Sequence, residues 1–190
     1  MSCSERGGEE LDEAGLRALV SRAAAASPDA WEAIYRRSHE RLFSYARRRL
    51  PSDTAADDAV SETMVRALDK ISSFTWRGAG FDAWLYGILR NVVLESHRQA
   101  GRTTASPAPV VSVPGPLDAI VRRDELAEVR VAFEQLPADD RELLELRVVA
   151  GLSAEEVGSV LGRKAGAIRM AQSRALGRLR LGIQGVSRGR

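Results

Sequence analysis

The sequence predicts an all-α fold: two small helical domains joined by a Pro-rich flexible linker. Three observations predict it. Apolar residues recur at three- and four-residue spacing along most of the chain, and no strand-like alternation persists between turn signals. Four of the seven prolines (Pro107, Pro109, Pro114, Pro116) crowd one stretch of Ser, Thr, Ala and Val. Proline removes backbone donors and disfavours helix in its predecessor, so this stretch separates helical units. Finally, Val157 to Arg190 carries eight basic residues and no acidic one, although the whole chain has a net charge of only +2.

Bulk composition agrees. The 190 residues are 44% hydrophobic and 28% charged, which is globular rather than disordered, and long enough for one ordinary or two small domains. Aromatics are only 5% of a chain rich in Leu, Ala, Arg and Glu, which favours helix over sheet. The lone cysteine, Cys3, cannot pair internally and argues against a secreted disulfide scaffold. No apolar run approaches ~20 residues and the acidic N-terminus is not a signal peptide, so a cytoplasmic protein with no membrane insertion of its own is expected.

The expected organisation is a disordered tail over 1–10, a first domain over 11–101, a linker over 102–117, a second domain over 118–184 and a basic tail over 185–190. A first helix spans Leu11 to Ala26, with Leu11, Ala14, Ala18 and Leu19 at helical spacing. Ser27-Pro28-Asp29 breaks it and offers a cap to the next. That second helix, Asp29 to Leu50, has an apolar face of Trp31, Ile34, Tyr35, Leu42, Tyr45 and Ala46, and an opposite basic face of Arg36, Arg37, Arg41, Arg47, Arg48 and Arg49. A third helix, Thr54 to Ile71, sets Val60, Met64, Ala67, Leu68 and Ile71 on one side and Asp57, Asp58, Glu62 and Asp69 largely on the other. The loop Ser72 to Gly80 precedes a fourth helix, Phe81 to Gln99, with Gly101 as its stop. Beyond the linker, helices are expected over Asp118–Leu136 and Arg141–Ala150, broken at Pro137.

A helix-turn-helix closes the chain. Ser153 is a good N-cap with Glu156 as its capping-box partner. Gly158 is the small residue needed where the second helix crosses the first, and Gly162 the turn residue needing positive φ. Val157, Leu161 and Ile168 face inward; Arg163 stands where such motifs usually carry an apolar residue. On the second helix, about Ala165 to Leu181, Arg169, Ser173 and Gln172 are placed to reach base edges. Arg163, Lys164, Arg174 and Arg178 suit phosphates. Surface helices that need only solubility mix charge signs; this one does not, which favours a duplex-DNA surface over a solvated face.

Five segments resemble bacterial extracytoplasmic-function (ECF) sigma factors of the sigma-70 family, in that family's order. Trp31 to Phe43 looks like the start of region 2, Ala56 to Leu68 like the family's "DAEDLVQETFLRAW" helix, and Phe81 to Val92 like "FRAWLYRIARNV". Leu136 to Arg147 and Gly151 to Val157 resemble region 4. The resemblance covers about residues 13–101 and 124–182. It implies a region 2 helical bundle and a region 4 helix-turn-helix in a transcription initiation subunit that is not an enzyme. It implies as partners core RNA polymerase (the β′ clamp helices and the β flap), promoter DNA and an anti-sigma factor. Asp57, Asp58 and Glu62 would dock on the clamp helices. The loop Phe74 to Gly80 with Asn91 would capture an unstacked minus-10 base.

The chemistry of these residues suits that role. Opening a duplex needs aromatic surfaces for bases and cations for the displaced backbone. Trp76, Arg77 and Phe81 supply the first step, and Arg90, His97 and Arg98 extend the basic side. Trp84 falls on the apolar stripe with Leu85, Ile88 and Leu89 and belongs to the core. His97 is a surface or phosphate-facing histidine, because two histidines and one cysteine make no metal-ligand set; no cofactor is expected. The recognition helix departs from the family, reading Arg169-Met170-Ala171 where many members carry a Lys-Ser-Arg-like run. Ala171 thus loses a contact that Arg174 would replace. The residues alone also admit a stand-alone helix-turn-helix regulator, which would bind its site unaided as a two-fold dimer. An enzyme finds no support in glycine motifs or nucleophile–histidine pairs.

Overall fold

The computed structural model describes residues 12–76, 78–103 and 123–188, with side chains described for all of these except 101–103, 123–126 and 186–188. The expected tail over 1–10, Arg77 and most of the expected linker lie outside the described residues. Eight α-helices run through the described residues: α1 (Glu13–Ala24), α2 (Pro28–Arg47), α3 (Asp53–Lys70), α4 (Phe81–Thr103), α5 (Arg123–Glu134), α6 (Ala138–Leu144), α7 (Ala154–Leu161) and α8 (Ala165–Arg188). The all-α expectation stands.

Side-chain caps fix the starts of the first three helices. Asp12 accepts from the amide of Gly15, Ser27 from Ala30 and Ser52 from Ala55, each satisfying a donor that the first helical turn leaves without a partner. Pro28 occupies the first turn of α2, where no amide hydrogen is needed. Between α1 and α2, Ala26 adopts φ +61°, a left-handed turn that costs an alanine about 1 kcal/mol.

Helices α1 to α4 pack as one bundle, α1 on α2, α2 on α3 and α3 on α4. Ile34, Leu42, Leu50, Val60, Leu85 and Leu89 are fully buried between them. The stripe of α1 is rotated from the sequence expectation. Leu16, Leu19, Val20 and Ala23 are inside while Ala14 and Ala18 are exposed, because larger side chains win the limited contact surface. On α3, Leu68 faces solvent, not the core. Helix α4 continues through Gly101 to Thr103, so that glycine is not its stop.

Two ion-pair clusters lock the first bundle. Arg37 donates to both oxygens of Asp82 at 2.6 and 2.8 Å, and Arg41 adds a third bond at 3.4 Å. Burial opposes ionisation of Asp82, but the two guanidinium groups outweigh it and hold the carboxyl below its ordinary range. Arg66 of α3 joins Glu62, one turn back, to Glu95 of α4 at 2.6 and 2.8 Å.

In the second domain α8 is the spine, packed by α5, α6 and α7. The expected helix over Arg141–Ala150 starts three residues earlier and ends as a π turn, Glu145–Val149, in which Ala150 donates to the Glu145 carbonyl. Helix α8 runs to Arg188 instead of ending near Leu181, absorbing most of the expected basic tail. The two domains touch: α4 packs along α7, and their buried residues form one continuous apolar cluster.

Candidate nucleic-acid interface

The helix-turn-helix has the local geometry its sequence requires. Ser153 accepts from the Glu156 amide at 3.1 Å and Glu156 accepts from the Ser153 amide at 2.7 Å, a complete capping box. Gly162 has φ +66° and ends α7. A Cβ on Gly158 would lie 2.5 Å from the Arg163 carbonyl oxygen, so only glycine lets the turn fold back over α7. Val157 and Ile168 are fully buried across this crossing. Arg163 is exposed, so the position that is usually apolar here points to solvent.

The inward ridge of α8 is Ile168, Ala171 and Ala175. Ala171 therefore packs against the domain core and not on the exposed outer face, where the expectation had placed it. Gln172 lies half-buried beside that ridge, and its amide oxygen accepts from Arg147 at 2.9 Å. Ser173 and Arg174 are exposed on the outer face, with Arg163 and Lys164 at its start. Among the described residues none of these three cations has an ion-pair partner.

Two cations expected to meet DNA are already paired. Arg169 contacts Glu155 of α7, and Arg178 donates to Asp140 of α6 at 2.7 Å. The basic run lacks acidic neighbours in sequence, but α6 and α7 bring carboxylates to it in space. Sequence reading missed Met170, which is 67% exposed at the centre of the outer face; its signal was its spacing between Gly166 and Ser173.

On the first domain, Phe81 is fully buried, so it cannot receive a base and instead supports the loop from beneath. Phe74 packs against Phe81, Trp84 and Trp76 at centroid distances of 5.4, 5.0 and 5.2 Å. Trp76 is half-buried on this cluster, and the Arg17 guanidinium of α1 lies 4.4 Å from its ring. Trp84 is partly buried, as its stripe implied. Asn91 and Arg98, two turns apart, share one exposed face of α4. Arg90 and His97 share the neighbouring one; His97 is exposed, while Arg90 is turned to Glu142 at 3.0 Å.

The third surface is acidic. Asp57, Asp58 and Glu62 are exposed on α3. Val65 (56% exposed) and Leu68 (47%) continue this face toward the C-terminus. Sequence reading put Leu68 inside and passed over Val65. The spacing Asp58, Glu62, Val65 is one helical stripe and was the available signal. Among the described residues no His, Cys, Asp and Glu side chains group so as to hold a metal ion, and no helix is long and apolar enough to cross a membrane.

Comparison with known proteins places this arrangement. The profile of Sigma-70 region 2 matches residues 34–103, and that of Sigma-70, region 4 matches 132–181. Over 182 residues, 91% of this chain and 84% of the relative, the sequence is 36% identical to the ECF RNA polymerase sigma factor SigD of Mycobacterium tuberculosis. The chain belongs to the ECF RNA polymerase sigma factors. Among solved structures, CnrH in complex with the cytosolic domain of CnrY is similar over 89% of this chain and 97% of its own, with a TM-score of 0.65 and 26% identity. The sigma factor RpoE of Bartonella quintana, solved with the anti-sigma factor NepR, is similar over 89% and 94%, with a TM-score of 0.60 and 25% identity. As a sigma factor, the chain directs core RNA polymerase to promoters. The region 2 match runs from within α2 to the end of α4, and the region 4 match from the end of α5 into α8.

Proposed function

We propose that this sigma factor works in the cytoplasm as a non-enzymatic initiation subunit, with labour divided between its two domains. The first, 11–101, docks on the β′ clamp helices through Asp57, Asp58 and Glu62, and Val65 and Leu68 add apolar area to that contact. It opens the minus-10 element with Trp76, Arg77, Arg90, Asn91, His97 and Arg98. The second domain, 118–184, reaches the β flap and reads minus-35. Arg169 and Ser173 meet base edges there, and Arg163, Lys164, Arg174 and Arg178 hold phosphates. Gln172 contributes through its NH2 group, since Arg147 occupies its oxygen.

The observation that carries the reading is the presence, on one chain, of an exposed acidic-apolar helix face and an outward basic recognition helix. Each domain makes a weak contact, and joining them raises the effective concentration of the second once the first is made. Control by an anti-sigma factor is supported by the sigma factor RpoE of Bartonella quintana, solved with the anti-sigma factor NepR.

Run-off transcription with purified core polymerase on a genomic promoter pool tests the proposal, beside a gel shift with and without core. Polymerase-dependent promoter binding is expected. Tight two-fold binding to duplex without polymerase would instead establish a stand-alone regulator.

A further inference from the structure

The most outward position on the first turns of α8 holds a side chain with no hydrogen-bond donor to offer a base. Met170, early in that helix, is 67% exposed. It stands two residues beyond the buried Ile168, roughly 160° round a helix of ~3.6 residues per turn. That sets it opposite the inward ridge of Ile168, Ala171 and Ala175. Arg169 is turned only ~100° from Ile168 and meets Glu155 at the flank. The neighbours of Met170 at three- and four-residue spacing are Gly166, Ala167, Ser173 and Arg174, all exposed. Three of these four are small. A Cβ on Gly166, or on Gly177 one turn past Ser173, would meet nothing within 4 Å. Met170 therefore stands above a low, open surface, with Arg163, Lys164 and Arg174 at its margins.

Isolated apolar residues are ordinary on protein surfaces. The place of this one is not ordinary, because the first turns of the second helix are where a helix-turn-helix meets base edges. A thioether is a weak acceptor and donates nothing, so Met170 does not read the hydrogen-bonding pattern of the major groove. Among the groups that base pairs show there, the thymine C5-methyl is the apolar one. Pressed against a ring nitrogen, a carbonyl oxygen or an amino group, the same side chain would strip water and return no partner. Its unbranched, polarizable stem adapts to the methyl where a β-branched residue would not.

We propose that Met170 is a specificity-determining residue of the minus-35 reader, packing its thioether end against the C5-methyl of one thymine in the major groove. It favours a thymine at that position and disfavours the bases whose edge is polar there. Gly166, Ala167 and Ser173 let the helix backbone come close enough for Met170 to reach the base. The inference deepens the minus-35 reading and rests on it. Arg169 and Ser173 keep their hydrogen-bonding roles, and Met170 adds an apolar one.

The test uses the full chain assembled with core polymerase. Holoenzyme is first offered promoters randomised across minus-35, and thymine should be enriched at one position on one strand. Each thymine of the selected duplex is then replaced in turn by deoxyuridine, which removes only the methyl group. Wild-type holoenzyme should lose about fourfold in affinity at one position, the effect of one methyl taken out of water. Met170→Ala should bind the thymine duplex more weakly and be indifferent to that same replacement. Met170 is exposed, so the variant should unfold at the wild-type temperature, which separates reading from folding. Three results overturn the role of Met170: no enriched thymine, no position sensitive to deoxyuridine, or an equal loss in Met170→Ala. Wild-type holoenzyme indifferent to minus-35 sequence in the first step overturns the minus-35 reading itself, and the inference with it.

Discussion

A Cβ on Gly158 would sit 2.5 Å from the carbonyl oxygen of Arg163, in the turn that joins α7 to α8. The obstructing atom is backbone, so no side chain can swing aside, and the turn itself must shift. Gly158→Ala is therefore expected to destabilise the second domain by about 1–3 kcal/mol, as overpacking does. Gly177, inside α8, has nothing within 4 Å of its would-be Cβ. Gly177→Ala should instead stabilise by about 0.5–1 kcal/mol. Thermal unfolding of the two variants gives opposite shifts if the crossing is as described.

Arg169 reaches Glu155 across an exposed pair, and such pairs contribute little to folding. Arg169→Ala should leave the unfolding temperature nearly unchanged. If Arg169 reads a base edge, the variant loses roughly 1–3 kcal/mol of discrimination at one position. Binding of holoenzyme to a library randomised at minus-35 measures this, and a polymerase pull-down should show unchanged core affinity. Equal loss of both would remove Arg169 from the reading surface.

Asp57 and Asp58 are exposed on α3 and stand apart from the Arg66 cluster, so they can be altered without disturbing the bundle. Charge reversal at Asp57 and Asp58 should weaken core polymerase binding at least tenfold while the circular dichroism spectrum stays helical. The pair Val65→Ser and Leu68→Ser should weaken it further, because burying exposed apolar side chains contributes about 25 cal/mol per Å². A core affinity unchanged by all four substitutions would show that α3 does not dock.

Asp82 makes the first bundle's stability depend on acid. Its folded-state pKa is depressed by Arg37 and Arg41 against the opposing effect of burial. A depressed carboxylate stabilises the fold at pH values above its unfolded pKa, and that stability is lost as pH falls through the lower folded value. Asp82→Asn should cost about 1–3 kcal/mol at neutral pH, the range for hydrogen bonds to charged groups. The difference between variant and wild type should shrink only below the ordinary value of 3.8, which denaturant titrations between pH 7 and pH 2 would follow.

Much of the fold was legible because its signals are local. Ser27 with Pro28, and Ser153 with Glu156, are short-range patterns whose hydrogen bonds form within one turn. Gly158 and Gly162 announced a tight crossing for the same reason. What failed was whatever depended on distant neighbours. Phe81 read as an aromatic available to DNA, yet Phe74 and Trp84 enclose it. The arginines of α8 read as unpaired because Asp140 and Glu155 precede the basic run in sequence and join it only when α6 and α7 fold against α8. Helix ends were misread at Gly101 and Leu181, because a glycine or a change in composition stops a helix only where packing lets it.

By itself, the sequence determined that the chain is helical, that it carries a basic helix-turn-helix at one end, and that an acidic helix and an aromatic loop precede it. Periodicity, caps and charge are properties of neighbouring residues, and they survive in any arrangement of the domains. Only the tertiary structure decided which of those charges remain exposed to a partner. Glu142 and Glu145 lie about a hundred residues from Tyr45, Arg48 and Arg49, and no local rule brings them together. Coulomb attraction acts through space, so the pairing that joins the two domains exists only once both have folded.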